Sequence, residues 1–140
     1  MSTKLVAKFA GGVAVAAGLT LAFQPAAMAA PSSSVTPSSG LGASAVVQVS
    51  SSGLKASANY HVGQCTELPS GQFACNKPAI VHLSSSASGT LSTPLTVQRT
   101  YEGILLDGTS VGTIDCAAVQ CNVTIGDDTG EGDGVNISFA

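Results

Sequence analysis

Apolar and polar residues alternate along most of this chain, and a period of two is the mark of a strand with one buried face. Val47 and Val49 alternate with Gln48 and Ser50, and Gly53 ends the run. In Tyr60-His61-Val62-Gly63-Gln64-Cys65 the residues Tyr60, Val62 and Gln64 share one face, and His61, Gly63 and Cys65 share the other. Val123 and Ile125 point to the core in residues 121–126, with Asn122, Thr124 and Gly126 pointing away. Leu91, Leu95, Val97 and Tyr101 hold odd positions of one long run, where Pro94 marks an edge or a bend. Shorter strands are expected at residues 34–36, 81–83, 113–116 and 135–139. Turn residues separate them: Pro37-Ser38-Ser39-Gly40, Pro69-Ser70-Gly71, the polar stretch 84–89 and Asp107-Gly108. Beyond the first residues no window has helical periodicity. Short strands at regular spacing predict an all-β, antiparallel sandwich of immunoglobulin type. It is not an antibody-type domain, because tryptophan is absent and the cysteines pair too locally to bridge two sheets.

The amino-terminal stretch breaks this pattern. Lys4 and Lys8 precede an uncharged apolar run over residues 9–23, and Ala27-Met28-Ala29 is an A-x-A cleavage signal. Residues 1–29 are therefore expected to be a secretory signal peptide, with residues 30–140 as one sandwich domain. The apolar run is short of the roughly 20 residues a membrane span needs. Nothing later is long enough to cross a bilayer, so the expected location is secreted and extracellular.

Without the leader, Lys55, Lys77 and Arg99 face eight acids, a formal charge of −5. So acidic a surface argues against direct DNA binding, which needs Lys and Arg to neutralise phosphates. Four cysteines allow three pairings. Cys65–Cys75 and Cys116–Cys121 are the expected bridges, because each pair flanks a turn. A zinc site would need closer C-x-x-C spacing, and no metal is expected.

Several motifs suggest chemistry that their surroundings do not support. Gly108-Thr109-Ser110-Val111-Gly112 matches a nucleophile elbow, but that elbow needs a following helix and a later histidine, and both His61 and His82 come earlier. The acidic run 127–133 lacks the spacing of a calcium loop and reads as a solvated turn. Asn122-Val123-Thr124 and Asn136-Ile137-Ser138 match glycosylation sequons but fall in predicted strands. His61 has no nucleophile beside it and reads as a polar residue rather than a base. The chain is not expected to be an enzyme. The face carrying His61, Gly63 and Cys65 suits an ordinary solvent face, the usual case for antiparallel sheets, or a cleft wall.

Val35-Thr36-Pro37-Ser38-Ser39-Gly40-Leu41, Tyr60-His61-Val62-Gly63-Gln64-Cys65 and Ala74-Cys75-Asn76-Lys77-Pro78 then form an ordered series with later segments. These are Leu95-Thr96-Val97-Gln98-Arg99, Tyr101-Glu102-Gly103, Gly112-Thr113-Ile114-Asp115-Cys116 and Val135-Asn136-Ile137-Ser138-Phe139. In order, spacing and cysteine placement the series resembles the neocarzinostatin family, the apoproteins of enediyne antitumour chromoproteins. The likeness spans nearly the whole chain after the leader, apart from a short deletion between Thr129 and Asp133.

The resemblance implies a seven-stranded sandwich with a small two-stranded ribbon, and a cleft between them. That cleft would bind a labile enediyne chromophore without a covalent bond. The chromophore is triggered by thiols and damages DNA after release, so DNA would be met only indirectly. The protein would be a monomeric carrier. Carried over by motif, the cleft would include His61, Gly63, the Cys65–Cys75 bridge, Glu67, Phe73 and Ile80, with Ile104, Leu106, Asp107, Asn122, Thr124 and Gly126 opposite. This is the outward face that alternation assigns. The best-known member has rings where this chain has Glu67, Ile80, Ile104 and Leu106, and a bulky pair in place of Ser110-Val111, so the identity of the chromophore does not follow from the resemblance. Proteolysis of basic proteins has been proposed for some relatives; no triad, dyad or metal set here supports it. The alternative function is a secreted immunoglobulin-like recognition or adhesion module with no small-molecule ligand. An apolar cleft would favour the carrier, and a flat exposed patch the module.

Overall fold

Two apolar faces meet to make the core. Val35, Val47, Val49, Leu95 and Val97 come from one side, and Val62, Val123, Ile125 and Ile137 from the other. All are buried, and each side chain of this size contributes about 1.5–3 kcal/mol when removed from water. The computed structural model describes residues 30–140, and the leader expected over residues 1–29 lies outside the described residues.

Ten strands form among the described residues. In chain order they are β1 (Ser32–Thr36), β2 (Ser44–Ser52), β3 (Asn59–Glu67), β4 (Phe73–Cys75) and β5 (Val81–Ser84). There follow β6 (Leu91–Gln98), β7 (Thr100–Ile104), β8 (Ser110–Asp115), β9 (Cys121–Asp127) and β10 (Gly132–Ile137). The helical geometry among them is a single 3-10 turn at Lys77–Ala79. A three-stranded sheet runs β1-β2-β6, and a seven-stranded sheet runs β8-β7-β4-β3-β9-β10, with β5 also on β3. Every ladder is antiparallel.

The expected architecture is recognisable in this ladder. β1, β2 and β6 stack on β5, β3, β9 and β10, which makes seven strands of sandwich. The β7–β8 hairpin is the two-stranded ribbon, joined to the larger sheet through β4 by the pairing of Cys75 with Ile104. Both expected disulfides are present, Cys65–Cys75 and Cys116–Cys121. Pro94 lies on β6, an edge strand, where a missing N–H costs no ladder bond.

The long run expected from Leu91 to Tyr101 is in fact two strands. β6 belongs to the small sheet and β7 to the large one, and only Arg99 separates them. Tyr101 keeps the odd-position phase of Leu95 and Val97, so alternation alone does not reveal the break. At the crossing the backbone leaves one ladder before joining the next, and its polar groups need other partners. Gln64 supplies them. Its side chain is fully buried, its Nε2 donates to the Gln98 carbonyl at 2.6 Å, and its Oε1 accepts the Gln98 N–H at 2.9 Å.

This arrangement predicts the consequence of an apolar replacement. Gln64→Leu conserves size but leaves the Gln98 N–H and C=O without these partners in the interior. A loss of about 2–4 kcal/mol is expected, measured by urea denaturation. An unchanged midpoint would mean that the crossing does not depend on the amide.

Candidate functional site

Three hairpins of one design surround a cleft on the outward face of the larger sheet. In each, the first residue donates its N–H to the fifth residue's carbonyl and accepts from a glycine three positions on. The pairs are Leu68 with Gln72 and Gly71, Leu105 with Thr109 and Gly108, and Asp127 with Glu131 and Gly130. Each glycine has a positive φ, between +87° and +91°, a region an L side chain rarely adopts. Pro69-Ser70-Gly71 and Asp107-Gly108 are the turn signals recognised in the sequence. The third turn falls in the acidic run.

The cleft has a volume of about 520 Å³, within the usual range for small-molecule sites. The Cys65–Cys75 bridge, Thr124 and Gly126 come from the sandwich, and Gly71, Gln72 and Phe73 from the first hairpin. Ile104, Leu105 and Leu106 come from the ribbon, and Lys77, Ile80 and Gly130 complete the lining. Phe73 is the one ring among these residues. It is 44% exposed and Leu106 is fully exposed, so two large apolar side chains stand in water on facing hairpins. A broader trough of about 700 Å³ lies elsewhere, lined mainly by serines such as Ser33, Ser51 and Ser92. It has no ring, charge or disulfide, and the smaller cleft is the better candidate for an apolar ligand.

Eight of the thirteen residues proposed from the sequence line this cleft: Cys65, Phe73, Cys75, Ile80, Ile104, Leu106, Thr124 and Gly126. Gly63 lies beneath it, where an added Cβ would stand 2.9 Å from Ile80 Cγ1. Glycine at this position lets Ile80 rest on the sheet. Asn122 accepts the Thr124 hydroxyl at 2.7 Å on the same face. Glu67 is exposed at the end of β3, opposite Phe73 in the ladder. Asp107 is turned to its own hairpin, accepting the Thr109 N–H at 2.9 Å, and hydrogen bonding from the Thr109 side chain, then from its N–H, lowers its carboxyl below the ordinary value. His61 lies outside the cleft lining, between His82 and Asp128.

The sequence reading missed Gly71, Gln72, Lys77, Leu105 and Gly130 as lining residues. Gly71 and Gly130 hold equivalent places in their turns, but Gly89 holds the same place in the turn from Ser86 to Thr90, away from the cleft, so the turn form alone does not mark the lining. The other motifs take ordinary structural places. Ser110 opens strand β8 rather than a strand-to-helix turn, and its hydroxyl accepts the Gly112 N–H at 3.2 Å. Asn122 and Asn136 lie in strands, as expected.

The ribbon is held at its base by Tyr101, whose buried hydroxyl donates to the Ala74 carbonyl at 3.0 Å. Burial pushes this phenol well above its ordinary pKa. The opposite rim depends on Asp127, which is not a solvated loop residue as expected. Its side chain is 6% exposed and bonds Lys55 at 2.8 Å. It also accepts from the Thr129 N–H and hydroxyl and from the Glu131 N–H. The Lys55 bond, then those of the loop, hold its carboxyl far below the ordinary 3.8.

The folded-state pKa is thus lower than the unfolded one. The stability Asp127 contributes is whole above the ordinary carboxylate value and is lost as pH falls below it. Urea midpoints should therefore separate the parent from Asp127→Asn at about pH 6 and converge towards about pH 2. A constant gap across that range would rule out this carboxylate as the source.

Comparison with known proteins gives concordant matches. The sequence model described as the neocarzinostatin family matches residues 33–139. The chain is 33% identical over 140 residues to macromomycin of Streptomyces macromomyceticus, covering 99% of this chain and 97% of that protein. It is 43% identical over 117 residues to the antitumor antibiotic C-1027 apoprotein of Streptomyces globisporus, covering 83% and 81%. The solved structure of macromomycin superposes with a TM-score of 0.77 at 36% identity, covering 79% of this chain and all of that one. That of apokedarcidin in solution gives 0.65 at 36% identity, covering 80% and 100%.

Proposed function

The chain belongs to the neocarzinostatin family, and from that premise we propose that it is a secreted apoprotein. Its role is to bind, stabilise and carry an enediyne chromophore without a covalent bond. The observation that carries this reading is the apolar cleft between sandwich and ribbon. A relative named as an antitumor antibiotic apoprotein supports it. A flat patch without a cleft would have favoured a recognition module. Among the described residues the hydrogen bonds of His61 run to His82 and Asp128 rather than to a serine, which gives a hydrolase reading no support. In the same residues no helix is long and apolar enough to cross a membrane. The proposed form is a monomer released by its leader, meeting DNA only through released chromophore.

The cleft fits such a ligand physically. Phe73 offers one face for stacking, while Ile80, Ile104 and Leu106 offer aliphatic area. Gly126 and Thr124 keep the floor low. Asn122 and Gly63 support that floor from the same face, with His61, Glu67 and Asp107 at its margins. Apolar burial leads the binding, and the aliphatic walls favour a bulky ligand over a thin planar one.

Native mass spectrometry of the protein secreted by its own host tests the reading. The expected spectrum shows the chain with one small molecule that organic solvent removes. Phe73→Ala from the same host should retain far less, in line with a loss of about 1–3 kcal/mol for an anchoring ring. A parent protein carrying no small molecule would overturn the carrier function, and equal retention would remove Phe73 from the site.

Protection of the ligand rests on sulfur. The thiolate is the attacking form of cysteine, and all four cysteines are in bridges. Cys65–Cys75 lines the cleft, where a reduced pair would sit against a thiol-triggered ligand. Cys75→Ser leaves Cys65 free and should shorten ligand half-life far more than Cys65→Ser combined with Cys75→Ser. Equal half-lives, corrected for fraction folded, would show that thiol exclusion is not the protective device.

A further inference from the structure

His61 and His82 are direct partners across β3 and β5, and their rings meet edge to face. The two Nδ1 atoms are 2.6 Å apart. One proton can bridge two such nitrogens, so one of them presents a lone pair to the other. The second nitrogen of His61, Nε2, lies 2.9 Å from Asp128 Oδ1. A carboxylate there accepts a hydrogen bond from the Nε2 N–H, which leaves the Nδ1 lone pair of His61 facing His82. The same carboxylate–imidazole arrangement orients histidines that bind metal ions. Both rings are accessible, the His61 side chain being 41% exposed and His82 lying on the exposed face of β5.

We propose that His61 and His82 form a binding site for a divalent transition-metal ion, Cu²⁺ or Zn²⁺, that takes the place of the bridging proton, which passes through water to Nε2 of His82 so that both rings bind as neutral imidazoles. Each Nδ1 supplies one ligand bond, and Asp128 is a positioning residue acting through His61. Two nitrogens bound to one such ion at about 2.0–2.1 Å stand roughly 3.3 Å apart, so a small side-chain rotation suffices. Imidazole suits these ions and disfavours Mg²⁺ and Ca²⁺. Among the described residues no group of three or more His, Cys, Asp or Glu is arranged as a metal site. Water therefore fills the remaining positions, and the site is an exchangeable one. The ion would add a side-chain link between β5 and β3, the strand with which β5 pairs. The proposal does not rest on the carrier function.

Copper(II) chloride added to the purified secreted protein tests it, read by titration calorimetry and electron paramagnetic resonance. The expected result is one ion per chain with hyperfine structure from two imidazole nitrogens. His61→Asn and His82→Asn should each lose the two-nitrogen pattern while keeping the parent circular dichroism, because both rings are at the surface. Asp128→Asn should retain the pattern with about tenfold weaker binding. Zinc chloride should raise the melting temperature of the parent but not of either histidine variant. A parent spectrum with one nitrogen or none overturns the proposal. So does an unchanged two-nitrogen pattern in His82→Asn, which would assign the ion elsewhere, such as the chain's amino terminus.

Discussion

The buried amide of Gln64 is the interaction on which the rest of the molecule depends. The chain changes sheets between Gln98 and Thr100 with one residue to spare. The Gln98 carbonyl and N–H both turn to the Gln64 side chain. The backbone of Gln64 is occupied too, its carbonyl accepting the Asn76 N–H at 2.9 Å. Asn76 is itself buried and donates from Nδ2 to Gln98 Oε1 at 3.2 Å. Cys116 joins from the other bridge, its sulfur 3.3 Å from Gln64 Nε2 and its N–H on the Arg99 carbonyl at 2.8 Å. A network of this kind is stabilising only when complete, since each unpaired buried group costs more than a made bond returns.

The cleft inherits its geometry from that network. β3 and the end of β4 supply the floor disulfide, and the chain that leaves the crossing as β7 supplies the ribbon wall. Floor and wall are therefore fixed to a common point of the core. The tips are different: they are short hairpins holding Phe73, Leu106 and Gly130 on turns that are internally hydrogen-bonded. A rigid base with apolar side chains on compact tips lets a ligand be gripped without reorganising the sheet.

The fold was legible because most of its strands have one wet face, so period-two alternation assigns both strand and side. Val62, Val123 and Ile125 fell on the core face as read, with Gly63, Cys65, Thr124 and Gly126 opposite. The features that escaped have no local signature. Arg99 is a break that preserves phase. Asp127 reads as one acid among several, and only the fold shows that Lys55, distant in sequence, reaches it. The neighbourhood of His61 and His82 depends on the register of β3 against β5, which composition does not encode. Gln64 was placed on the core face by alternation, yet its role needed the crossing to be seen.

The contact of Gly63 with Ile80 shapes the lining of the cleft. Ile80 Cγ1 already occupies the space a Cβ at position 63 would need. A ring placed at 80 would have to stand upright or ride higher, presenting a flat wall and a narrower slot. Isoleucine instead packs directly on the glycine. Ile104 and Leu106 on the ribbon likewise offer aliphatic bulk. Stacking then remains at Phe73 alone, worth about 0.5–1.5 kcal/mol beyond area, while each well-covered aliphatic side chain contributes through buried area itself. Area is indifferent to planarity, so this lining rewards a ligand for filling the slot rather than for being flat.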